Sequence, residues 1–92
     1  MKLNDLEILT KLKEMKGWEY DGKSINKTFV FSGFDHVMVF TNEIARRTKE
    51  IGHHPDMQVM YNKVKISIAT ANEQGVTNKD FELANAIEAI SQ

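Results

Sequence analysis

His53 and His54 stand side by side, with Gly52 before them and Pro55 after. Imidazole ordinarily titrates at about pH 6.5, so a histidine can give or take a proton near neutrality without a large shift. Gly52 is a natural stop for a preceding helix, and a residue before proline avoids helical backbone. The pair therefore rides on a short, fixed connection. That is a constellation for general acid/base work on a small substrate. Spacing alone leaves two other readings open. Polar residues in a connection are most often solvated and nothing more. A shared metal ion is the weakest reading, because neighbours in extended backbone point to opposite sides. No His-Glu-x-x-His or comparable ligand spacing supports it. Asp80 is double-valued: it lies three residues after Thr77, where it caps a helix, or it supplies a carboxylate to a site. Arg46, Arg47, Lys49 and Glu50 form the one dense charge run, which reads as a solvated helix face with local ion pairs. Its minority reading is a rim that attracts an anionic ligand. The remaining histidine, His36, reads as a surface or capping residue.

The composition limits what else the chain can do. There is no cysteine in the 92 residues, so disulfides, thiolate nucleophiles and zinc–sulfur sites are excluded. The 12 Lys+Arg against 13 Asp+Glu give a net charge of −1, which lacks the basic face that nucleic acid or an anionic membrane requires. The 41% hydrophobic content is too high for a disordered chain. Met1 to Glu7 turns polar and acidic at once and does not read as a signal peptide. Val37 to Phe40 is far too short to span a bilayer. These features suit a cytoplasmic, single-domain protein over residues 1–92.

The elements that must position the histidines follow from periodicity. Leu6, Ile8, Leu9, Leu12 and Met15 predict a helix over Leu3 to Met15, capped by Asn4 or Asp5 and stopped at Gly17. Trp18 to Tyr20 and Lys23 to Phe31 read as strands around Asp21-Gly22, a type I′ hairpin signal. Lys27 interrupts the apolar face of the second strand and reads as a side chain snorkelling near an edge or interface. Phe34 to Ile51 returns to helical spacing, with Val39 and Met38 widening its apolar face. Met57, Val59 and Tyr61 alternate, as do Val64, Ile66 and Ile68, around a turn at Asn62-Lys63. Ala71 to Val76 reads as a loop. Thr77 then starts a helix carrying Phe81, Leu83, Ala84, Ile87 and Ile90. The order α-β-β-α-β-β-α predicts an α+β fold, a four-stranded antiparallel sheet covered on one face by helices.

These residues also carry a resemblance. Lys49-Glu50-Ile51-Gly52-His53-His54-Pro55-Asp56, then Tyr61-Asn62-Lys63-Val64, then Gly75-Val76-Thr77-Asn78-Lys79-Asp80 resemble the pterin-4a-carbinolamine dehydratases. Lys49, His53, His54, Pro55, Tyr61 and Asp80 occupy that family's motif positions, and the family's element order is the same over the whole chain. Two positions depart from the pattern. The family usually places a third histidine, or a tryptophan, where this chain has Ala71. Met57 stands where relatives often have tryptophan.

The resemblance implies dehydration of 4a-hydroxytetrahydropterins to quinonoid dihydropterins, in recycling of the tetrahydrobiopterin that aromatic amino acid hydroxylases use. It implies a hydro-lyase needing no metal or organic cofactor. His53 and His54 would share the acid and base roles, and Pro55 and Asp80 would help bind the substrate. Alanine transfers no proton, so a site with Ala71 is expected to be weakened. Animal members of the family also act as dimerisation partners of a homeodomain transcription factor, which implies a non-catalytic interaction module as the alternative. The broad apolar face of the middle helix predicts a homodimer or homotetramer.

Overall fold

Asn4 opens the first helix with a full capping box. Its Oδ1 accepts the Glu7 amide at 2.8 Å, and its own amide donates to Glu7 Oε1 at 2.9 Å. In the computed structural model, which describes residues 1–91, this helix is α1, Asp5–Leu12. Gln92 lies outside the described residues. Helix α1 is shorter than its apolar pattern predicts, because the backbone tightens into three-residue turns from Lys13 to Met15. Its inward stripe is Ile8, Leu12 and Met15, at i, i+4 and i+7, while Leu6 and Leu9 face solvent.

The next elements are β1 (Glu19–Tyr20), β2 (Ile25–Val30), α2 (Phe34–Ile51), β3 (Asp56–Val59), β4 (Lys63–Ile68) and α3 (Asn78–Ser91), with a short 3-10 turn at Ala71–Glu73 before α3. The strands pair antiparallel throughout, in the order β1-β2-β4-β3. The α-β-β-α-β-β-α order and the antiparallel sheet are as expected. Ile25, Phe29, Val64, Ile66 and Ile68 fill one face and are buried, while Thr28, Val30, Lys63 and Lys65 face out on the other. Helix α2 covers the buried face with Val37, Phe40 and Ile44, and α3 with Leu83, Ala84 and Ile87. A run of aromatic pairs, Trp18–Phe29 edge-on at 6.1 Å and Phe29–Phe40 and Phe31–Phe40 tilted at 5.0 and 4.9 Å, ties the hairpin to α2. Each such pair contributes about 0.5–1.5 kcal/mol beyond its buried area.

One local expectation is corrected and another is narrowed. The β1–β2 connection is not a two-residue type I′ turn. Tyr20 pairs with Ile25, so four residues make the turn, and Gly22 alone takes positive φ, at 93°. Asp21 instead spends its carboxylate on the Lys23 and Ser24 amides at 2.9 and 2.8 Å. Lys27 lies not at an edge but on an interior strand, at the interface with α3. Its Nζ reaches inward to Glu88 of α3 and the Lys16 carbonyl, over the Phe29 ring, in the gap left where α1 ends. Trp18 Nε1 donates to the same Glu88 carboxylate at 2.8 Å. The pair thus joins β2 to α3.

No helix among the described residues is long and apolar enough to cross a membrane.

Candidate active site

Helix α2 ends as its sequence dictates. Gly52 takes the left-handed conformation, φ 72°, and its amide closes onto the Thr48 carbonyl at 2.9 Å. The chain then turns through His53 and His54 into Pro55, and β3 begins at the next residue. His53 is mostly buried and His54 is exposed. The helix end and the strand start thus leave the two imidazoles with different exposure.

His53 meets Asp80. The His53 Nε2 atom and Asp80 Oδ1 are in direct hydrogen-bond contact, from α2's exit to the first turn of α3. Asp80 is fully buried at 0% exposure, yet its carboxylate is well supplied with donors. Oδ2 accepts the Thr77 amide and the Thr70 hydroxyl, each at 2.8 Å, and the Thr77 hydroxyl lies 3.4 Å from it. One oxygen thus caps α3, as the capping reading expects, and the other holds His53. The capping box is half formed, because the Thr77 hydroxyl turns to Thr70 Oγ1 at 2.9 Å instead of to the helix amide. With its oxygens so occupied, Asp80 reaches any ligand only through His53.

A hollow of about 560 Å³ opens beside this cluster, lined by Ser24, His53, His54, Asp56, Ala69 and Ala71 together with Ser67, Thr70 and Asn72. Small-molecule sites commonly span about 300–1,000 Å³, so a bicyclic ring fits the space. A second hollow of about 540 Å³ shares His53, Thr70 and Asn72 and is closed by Met1, Glu73 and the start of α3. His53 therefore forms a wall between two open spaces, and His54 faces only the first. Pro55, half-buried, holds the extended segment between His54 and Asp56, both on that wall. Ala71 lies on the same wall, so a histidine there would look into the same space.

Other motif positions are elsewhere. Tyr61 lies beyond the far end of β3, stacked on Phe34 at 6.5 Å and 6°. Lys49 is exposed in the last turn of α2. Arg46 and Arg47 are engaged with Glu43, the solvated reading of that charge run, and the contact with Arg46 holds the Glu43 carboxyl below its ordinary range. His36 is exposed. Sequence reasoning missed the hydroxyls Ser24, Ser67 and Thr70. The Ser67 hydroxyl donates to Ser24 Oγ at 3.1 Å across 43 positions of sequence, and only the β2–β4 register brings them together.

A model of the family described as pterin 4 alpha carbinolamine dehydratase matches residues 1–90. The chain belongs to this family. A dehydratase-family protein of Sulfolobus acidocaldarius, named provisionally as a pterin-4-alpha-carbinolamine dehydratase, is 43% identical over 90 residues, covering 98% of this chain and 99% of its own. One of Christiangramia forsetii, named in the same way, is 42% identical over 89 residues, covering 97% and 92%. Among solved structures, a transcriptional coactivator/pterin dehydratase from Brucella melitensis superimposes with a TM-score of 0.94 at 31% identity, over 100% of both chains. A pterin dehydratase-like protein described as a RuBisCO assembly factor in the alpha-carboxysome shares the fold, with a TM-score of 0.71 at 21% identity over 84% of this chain and 92% of its own. The dehydratase family thus accounts for the whole described architecture. His53 and His54 both line the hollow beside Asp80.

Proposed function

We propose that this chain dehydrates 4a-hydroxytetrahydropterins to quinonoid dihydropterins, as a hydro-lyase in tetrahydropterin recycling. The observation that carries the reading is the Asp80-bound His53 on the wall of a hollow that His54 also lines. The reaction needs two proton movements. A general acid protonates the 4a-hydroxyl, which leaves as water; a base takes the proton from ring N5, and the freed electron pair closes the C4a–N5 double bond. No redox change occurs, and the balance is substrate to product plus one water. His53 and His54 share the acid and base roles without a metal or organic cofactor. Asp80 orients His53, and Pro55 holds the extended backbone that presents His54 and Asp56 to the substrate. General acid/base groups each contribute roughly 10²–10⁴-fold, so a site with Ala71 in place of a third proton carrier works at a reduced rate.

The test is a dehydratase assay on the purified protein, with a rate above the uncatalysed one expected and a rate equal to it excluding the reading. A second reading is favoured by Ala71 itself: a pterin-binding homologue without catalysis, acting as an interaction or dimerisation module. Pterin affinity separates the outcomes, since a protein that binds and does not turn over fits the second reading.

We also propose that the chain works as a homodimer or homotetramer in the cytoplasm. Strand β3 is an edge strand exposed along its whole length, and Met57 and Val59 share the helix side of the sheet with buried Ile66 and Val64. A second copy can pair with that edge and cover those side chains.

A further inference from the structure

The hydrogen bonds around Asp80 have a direction. A carboxylate with this many donors is an acceptor only, so the hydrogen between Asp80 Oδ1 and His53 belongs to Nε2. A neutral imidazole carries one ring hydrogen, so Nδ1 is then the basic nitrogen. Nδ1 engages in no hydrogen bond. Among the described residues no buried side-chain nitrogen or oxygen lacks a partner, so Nδ1 opens to solvent. The opposite Asp80 oxygen is fixed from two sides. The Thr77 amide comes from the residue that leads into α3, whereas the Thr70 hydroxyl comes from the segment after β4. The Thr70 hydroxyl has one hydrogen. It is committed to Asp80 at 2.8 Å, and the Thr77 hydroxyl supplies Thr70 from behind at 2.9 Å. The chain runs Thr77 to Thr70 to Asp80, and His53 donates into its far end.

We propose that Thr70 is a positioning residue. Through Asp80 it holds His53 as the Nε2–H tautomer and so presents Nδ1 as the atom that exchanges protons with the ligand. This rests on the dehydratase reading only for its kinetic consequence; the tautomer is a property of the free protein. Thr70→Val keeps the side chain's shape and removes the hydroxyl, while Thr70→Ser keeps the hydroxyl.

The experiment reads the imidazole nitrogens of ¹⁵N-labelled protein by long-range NMR correlation, at a pH where the nitrogen shifts themselves show the ring to be neutral, alongside steady-state kinetics. Wild type is expected in the Nε2–H form. Thr70→Val is expected to mix the tautomers and to lower kcat roughly 10- to 100-fold, the range for losing an orienting partner, with KM changed less than twofold. Thr70→Ser is expected to restore both. A wild-type His53 in the Nδ1–H form overturns the proposal, whether or not the variants fold. So does a folded Thr70→Val with wild-type tautomer and kcat. A protein with no dehydratase activity whose His53 tautomer still responds to Thr70→Val supports the positioning role and removes the dehydratase reading instead.

Discussion

Two adjacent histidines of the same type end in different chemical situations, because one is held and the other is free to meet solvent. His53 is tied through Nε2 to a fully buried carboxylate, while exposed His54 lines the same hollow without such a tether. Ala71 completes the contrast, since it offers the same space a methyl group. Restoring a proton carrier with Ala71→His is expected to raise kcat, by up to the roughly 10²-fold that one acid/base group contributes. Initial-rate measurements on the variant check this, and an unchanged rate would place Ala71 outside the working site. Spacing between a glycine and a proline left the histidine pair open to a merely solvated reading, and the family resemblance is what singled it out. Ser24, Ser67 and Thr70 were not legible. Hydroxyls carry no charge pattern; the β2–β4 pairing brings Ser67 to Ser24, and the turn from β4 into α3 brings Thr70 to Thr77 and Asp80.

At the level of the element, α2 and its exit position the site. The sequence predicts its bounds, Phe34 to Ile51, because glycines flank the apolar period on both sides. Gly52 holds a left-handed turn at φ 72° with no atom within 4 Å of an added Cβ. Gly52→Ala therefore meets no steric obstacle, and its cost is backbone conformation alone, about 1–2 kcal/mol. Chemical denaturation checks that figure, and a loss below the detection limit would mean that the turn is not left-handed in solution. The β1–β2 turn was less legible, because Asp-Gly is read through its backbone preference while Asp21 acts here through its carboxylate. Donation from the Ser24 and then the Lys23 amide lowers the Asp21 carboxyl below its ordinary value. A carboxyl lowered on folding stabilises the fold above its unfolded pKa. That contribution fades as pH falls through the folded one. Asp21→Asn is expected to flatten the acid limb of stability against pH, measured as denaturation midpoints over an acidic series. A limb as steep as wild type's would assign the acid loss to other carboxylates. Helix α1 shows the opposite limit of pattern reading: its period includes Leu6 and Leu9, yet burial follows only the Ile8 stripe.

Over the whole molecule, the sheet is sealed by α2 and α3 on one face, and β3 is left bare at one side. Exposed apolar side chains on an unpaired edge invite either a partner or aggregation. Light scattering is expected to give a dimer or tetramer at micromolar concentration, and Val59→Lys, at a position 43% exposed, is expected to shift the mass toward monomer. A monomeric wild type would contradict this arrangement. The near-balance of 12 basic and 13 acidic residues fits the small uncharged substrate and the self-association proposed above, and the absence of cysteine leaves proton transfer near neutrality to histidine. Two of the three histidines meet at one hollow, and the account stands on their joint work. Its most direct test is the rate of 4a-hydroxytetrahydropterin dehydration by wild type and by the double variant His53→Ala, His54→Ala. The account predicts a wild-type rate above the uncatalysed one and a double variant at least roughly 10²-fold slower. A folded double variant that keeps the wild-type rate would contradict it.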